Sequence, residues 1–185
     1  MKAAAATSPI PSVLCALRRL LAHRWADGGL HQALPPDMLE RLAQRIAASE
    51  RRHTGQVRIC VEGGLPLSYI WRGAGARERA ITQFGKLRVW DTECNNGVLI
   101  YLLLADHAIE IVADRGLTRH VSGTTWRDMV AHMTDAFRAG HYEEGLTQAL
   151  AEVSALLVEH FPRDEGDDET PDRGNELPDA PVVAP

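Results

Sequence analysis

The run Val89-Trp90-Asp91-Thr92-Glu93-Cys94-Asn95-Asn96-Gly97 brings two carboxylates and two carboxamides into one short polar segment, and an apolar run over residues 98–104 follows at once. Oxygen-bearing side chains at the mouth of a buried strand suit a hard cation or a polar ligand. Asp91, Glu93 and Asn95 stand at alternate positions, as the first oxygen ligands of a calcium loop do. The EF-hand pattern itself is not met, because Asn96 replaces the sharp-turn glycine and Leu102 the bidentate glutamate. An ion held here must therefore take further ligands from elsewhere, with Asn96, Glu50 and Asp114 as the candidates. Oxygen donors without clustered His or Cys favour Ca²⁺, Mg²⁺ or Mn²⁺ over Zn²⁺. On such an ion, two carboxylates could deprotonate a water for phosphomonoester hydrolysis while Arg115 or Arg119 holds the phosphate. The same residues also fit a solvated Asn-Gly turn, and the arginines fit as partners of neighbouring carboxylates.

Other catalytic signatures are missing. Gly73-Ala74-Gly75-Ala76-Arg77-Glu78 begins like a dinucleotide fingerprint and ends in glutamate, with no strand leading straight into it. Ile100 stands where a cysteine phosphatase built on Cys94 needs arginine. The eight histidines form neither HxH nor HExxH. Three cysteines, none in a CxxC pair, suggest neither a disulfide framework nor a structural zinc.

The elements that must position these residues follow from periodicity. Residues 1–35 are expected to form an appendage carrying a short amphipathic helix with Val13, Leu17, Leu20 and Leu21 on its stripe. Pro35-Pro36-Asp37 opens a second helix with Leu39, Leu42, Ala43 and Ile46 on its inner face. Residues 56–62 read as a strand, and Ala76, Ala80, Ile81 and Phe84 as a helix. The 98–104 run is apolar enough to be covered on both faces. Ala105-Asp106-His107 turns it into an antiparallel partner at 108–112. A helix starting near Thr124 or Thr125 and another from Tyr142 to just before Pro162 complete the domain. From Arg163 onward, over residues 163–185, the chain is acidic, punctuated by Pro and Gly, and too poor in large apolar groups to order itself.

This order predicts a three-layer α/β/α sandwich around a small mixed sheet, with the first two strands parallel. It also places Glu50, Asp91, Glu93, Asn95, Asn96, Asp114 and Arg115 at one edge of the sheet, and Glu62, Asp106 and His107 at the other. A net charge of -5 excludes general nucleic-acid affinity. Met1-Lys2 and four alanines, broken by Pro9 and Pro11, do not make a secretory signal, and no stretch is apolar enough to span a bilayer. A cytoplasmic protein is the expectation.

Several of these segments resemble the TPM domain, a family shared by thylakoid-lumen photosystem repair proteins and many bacterial proteins. Glu50 with Gly55-Gln56-Val57-Arg58-Ile59 looks like its opening, and Ala80-Ile81-Thr82-Gln83-Phe84-Gly85 like its second helix. Asn95-Asn96-Gly97-Val98-Leu99-Ile100 is similar to its best-known motif, and Phe137, Gly140, Tyr142 and Gly145-Leu146 to its closing helices. The likeness covers residues 36–161, and the chain looks most like the short soluble bacterial branch. The resemblance implies a compact α/β/α fold, divalent-cation binding and, in some members, acid phosphatase activity. Other members act as assembly, repair or interaction modules, and members of the short branch can accompany LemA-type membrane proteins. Asp114-Arg115-Gly116-Leu117 departs from the glycine-rich turn of many relatives. The reading favoured is a cation-binding interaction module, with a metal-dependent phosphatase as the alternative and docking through the N-terminal helix or the tail as a third.

Overall fold

The computed structural model describes residues 13–163 and 175–184, excepting the side chains of residues 13–16 and 27. Helices α1 (Val13–Ala33) and α2 (Pro36–Glu50) lead into strand β1 (Val57–Glu62). Two helices follow, α3 (Leu67–Trp71) and α4 (Ala76–Lys86). The hairpin of β2 (Val98–Leu103) and β3 (Ala108–Ala113) comes next, then α5 (Arg115–Thr118), α6 (Gly123–Arg138), α7 (Tyr142–His160) and β4 (Val182–Ala184). The sheet runs β3-β2-β1-β4, with β2 parallel to β1 and antiparallel to β3.

Alternation along the strands builds the three layers. Val57, Ile59, Val61, Val98, Ile100 and Leu102 face the stripes of α2, α6 and α7. Cys60, Leu99, Tyr101 and Leu103 face α3 and α4. Every residue of β2 is buried, as an apolar strand sandwiched between helices must be. Pro36 occupies the first turn of α2, and Leu146, Leu150, Val153 and Leu157 bury the inner face of α7.

Three expectations are corrected. The first helix is not short: α1 runs for 21 residues, with Leu17 and Leu21 exposed. Leu20 of the expected stripe packs against the α3/α4 cluster, and the helix also docks through Leu30 and through His23, whose Nδ1 accepts from Leu65 N at 3.0 Å. His23 Nε2 lies 3.3 Å from Asp106 Oδ1, at the edge opposite the polar run. The cap of α6 is Ser122, two or three residues upstream of the expected start, and its Oγ accepts from Thr125 N at 3.2 Å. Ile81 faces solvent, while Arg79 and Gln83 take the inner face of α4 for a polar reason described below.

The tail differs most from its composition. Residues 175–184 run along β1, and β4 pairs with it in parallel from Cys60↔Val182 to Glu62↔Ala184. Leu177 is buried in the α3/α4 cluster. Gln56 Oε1 accepts from both Glu176 N and Leu177 N, and Arg58 donates to the Pro178 carbonyl. A short apolar segment needs little area of its own when an open strand edge supplies hydrogen-bonding partners. The acidic stretch 164–174 and residues 1–12 lie outside the described residues.

Candidate functional site

Register fixes the site. Val57, Val98 and Ala113 are neighbours across the three strands, so the segments before β1, before β2 and after β3 meet at one edge. Asp114 N donates to Gly97 O at 2.9 Å, and Gly116 N to Asn95 O at 2.8 Å. Those two bonds tie the Asn-Asn-Gly segment to the turn that starts α5. Asn95 is held in a left-handed conformation (φ 52°), which asparagine tolerates better than most residues. Thr92 Oγ1 accepts from Asn96 N at 3.1 Å and folds the loop back on itself.

Two oxygens at this edge stand out. Asn96 is fully buried, and its Nδ2 reaches Thr54 Oγ1 at 3.4 Å, yet its Oδ1 has no hydrogen-bond partner. Asp114 is buried as well: Oδ1 caps α5 by accepting from Arg115 N at 2.6 Å, and Oδ2 has no hydrogen-bond partner. An orphaned buried acceptor costs on the order of 1–3 kcal/mol, so two on facing segments call for a donor or a cation. The carbonyls of Asn95 and Cys94 also crowd this point. A Cβ added at Gly116 would sit 2.5 and 2.7 Å from them.

The other expected ligands lie apart. Asp91 is exposed and 3.8 Å from Arg88; Glu93 is exposed too, and its backbone N donates to Glu176 Oε2 of the tail at 2.9 Å. Arg115 reaches Asn95 Oδ1 at 3.3 Å, and Arg119 lies exposed at the end of α5. Among the described residues, no group of three or more His, Cys, Asp or Glu side chains is placed to hold a metal ion. Apart from Glu50, the donors at this edge are therefore one buried carboxylate, one buried carboxamide and backbone carbonyls. That set fits a hard cation in kind and offers it little negative charge.

Glu50 is also at the edge but already engaged. Its Oε1 accepts from Val57 N at 2.7 Å, which anchors the start of β1. Burial pushes its carboxyl up to about 8, the Val57 N–H opposes that rise, and the Asp179 carboxylate of the tail adds to it. The folded state then holds a proton that the unfolded chain releases above its ordinary value of 4.5. Stability should therefore fall as pH rises between those values. The buried imidazole of His53, lowered to about 4 by desolvation, gives the opposite slope, confined below 6.5. Glu50→Gln keeps the acceptor for Val57 N and is expected to remove the loss between about pH 6.5 and 8. The gain at alkaline pH should be on the order of a few kcal/mol in urea denaturation. An unchanged slope in the variant would mean that Glu50 is ionised in the fold.

The opposite end of β1, where the sequence placed Glu62, carries a polar cluster whose other members, Arg79, Gln83 and Tyr101, sequence reasoning missed. Glu62 is fully buried, and its Oε2 accepts from Arg79 Nε at 2.7 Å and from the Tyr101 hydroxyl at 2.6 Å. Arg79 Nη2 and Gln83 Nε2 both donate to Oε1. The available signal was parity. Glu62 falls on the same face as Cys60, and Arg79 and Gln83 recur at helical spacing on α4. With every acceptor position satisfied, this cluster is a structural clamp.

The TPM domain profile matches residues 30–156, more than half of the 185. The chain belongs to the TPM domain family. The NMR structure of the BA42 protein from the psychrophilic bacterium Bizionia argentinensis is similar, with a TM-score of 0.68 at 23% identity, over 82% of this chain and 95% of that one. The N-terminal domain of a protein from P. gingivalis, also solved by NMR, gives 0.56 at 19% identity, over 75% and 85%. At these identities the likeness establishes the TPM fold. No curated protein matches the chain. Tail strand β4 lies outside the matched TPM residues. Among the described residues, no helix is long and apolar enough to cross a membrane.

Proposed function

We propose that the polar edge of this TPM domain binds a hard divalent cation, Ca²⁺ or Mg²⁺, around Asn96 Oδ1 and Asp114 Oδ2, and that the domain works as a cation-dependent interaction module. The pair of buried, unpartnered oxygens carries this reading. Asn95 and Cys94 would contribute carbonyls, with Asp91 and Glu93 as an outer acidic rim. With one buried carboxylate, the affinity expected is in the weak range, roughly 10⁻⁴ to 10⁻³ M. A bound ion would supply Lewis-acid polarisation of a coordinated oxygen. The chain's own residues would orient it, since Asp114 is fixed by the α5 cap and Asn96 by Thr54 and Thr92. Phosphomonoester hydrolysis gains no observation of its own, because Arg115 is engaged by Asn95 and Asp114 and Arg119 lies exposed at the end of α5.

A thermal-shift titration with Ca²⁺, Mg²⁺ and Mn²⁺ tests the proposal. At about a hundred times Kd, a ligand of the native state alone adds roughly 2.7 kcal/mol. Asp114→Asn retains the capping oxygen and removes the charge, so it should abolish the shift. Asp91→Asn with Glu93→Gln should reduce affinity only a few-fold. Equal shifts in wild type and Asp114→Asn, or none in wild type, would refute it.

A further inference from the structure

One face of α1 is left bare. Among the described residues seven large apolar side chains are exposed, and five of them belong to two helices that pack side by side. These are Leu17, Leu21 and Trp25 of α1 with Leu67 and Trp71 of α3. At about 100° per residue, Leu17, Leu21 and Trp25 form one stripe. His23 and Leu30, which dock α1 on the domain, fall on the opposite side. Helix α1 is therefore apolar on both sides, whereas a helix that only docks in cis keeps its outer side polar. Trp25 is 85% exposed and Trp71 71%, the largest values among the five. An outward apolar cluster of this kind marks a surface that meets a partner.

Charge selects the partner. Arg18 and Arg24 are exposed and fall about 60° to either side of Leu21, so basic groups flank the stripe on both shoulders. Residues 17–25 contain no Asp or Glu, in a chain of net charge -5. Arg19, on the docked side, is paired with Asp106. A second copy of this face would set arginines against arginines, which disfavours self-association. Anionic lipid headgroups match it instead. Leucines can enter the upper acyl region while indoles lie at headgroup level, and arginine stems follow the stripe with their guanidiniums on phosphates. We propose that α1 lies along the surface of an anionic membrane through Leu17, Leu21 and Trp25, with Leu67 and Trp71 of α3 beside it. No described helix is long and apolar enough to cross a bilayer, so the attachment is peripheral and sensitive to salt.

The test is co-sedimentation of the full chain with vesicles of phosphatidylcholine and phosphatidylglycerol in equal parts, against phosphatidylcholine alone. EDTA is present throughout, so that a cation at the polar edge takes no part. Wild type should bind the anionic vesicles about tenfold or more tightly than the neutral ones, with its tryptophan emission moving to the blue. Leu21→Glu and Trp25→Ser, both at exposed positions, should fold normally and each lose about tenfold or more in binding. Trp90→Ser, at the polar edge, should bind as wild type does. No binding to anionic vesicles, equal binding to both kinds, or wild-type binding by folded Leu21→Glu and Trp25→Ser would overturn the proposal. So would an equal loss in Trp90→Ser, or a lipid-free dimer that Leu21→Glu dissolves, which would give the face to a second copy.

Discussion

Replacing Gly97 with alanine is expected to destabilise the domain by about 3 kcal/mol or more, the upper range for a single overpacked position. A Cβ there would sit 1.9 Å from the Val89 carbonyl oxygen and 3.0 Å from its carbon. That neighbour is backbone, held by the Val89 N to Phe84 O bond, so it cannot rotate away. Either α4 or the start of β2 would have to move, and both belong to the core. Gly123→Ala is the control, because nothing lies within 4 Å of its added Cβ and alanine suits a first helical turn. Urea denaturation of both variants should give a large loss for the first and about none for the second. A Gly97→Ala protein as stable as wild type would show that the loop is not packed as described.

The second large effect is expected at the clamp. Arg79→Met leaves the Glu62 carboxylate buried without its main counter-charge and should cost about 3–5 kcal/mol, the usual range for half of a buried ion pair. Tyr101 and Gln83 still donate to Glu62, which places the effect at the lower end. Removing both charges with Glu62→Leu and Arg79→Met should recover much of the loss, since the orphaned charge is then gone. A double-mutant cycle measures this directly. If the double variant were as unstable as the sum of the singles, the pair would be coupled to nothing and the clamp would be ruled out.

How much of this was legible in the sequence depended on whether a residue's partner was near or far along the chain. The helices and the β2–β3 hairpin follow from local periodicity, and their order was enough to bring Glu50, Asn96 and Asp114 to one edge. Asn96 shows the boundary. Its type and position were readable, but its side-chain partner, Thr54, lies 42 residues away. Asp91 and Glu93 drew attention through their charge, and it is the less conspicuous Asp114, capping a helix too short to announce itself, that is buried. The tail misled for a different reason. Composition measures what a segment can bury alone, whereas the tail borrows the edge of β1 through β4 and donates two hydrogen bonds, from Glu176 N and Leu177 N, to Gln56. Arg79 and Gln83 read as the polar face of α4 until Glu62 appears beneath them.

A cation site built on Asn96 and Asp114 is open to a direct test by ¹⁵N NMR titration with Ca²⁺. Saturable shifts are expected, centred on the Asn96 side-chain amide and the Gly97 and Gly116 N–H groups and absent in Asp114→Asn. Shifts confined to the exposed loop around Asp91 and Glu93, or a silent Asn96 amide at saturating Ca²⁺, would contradict it.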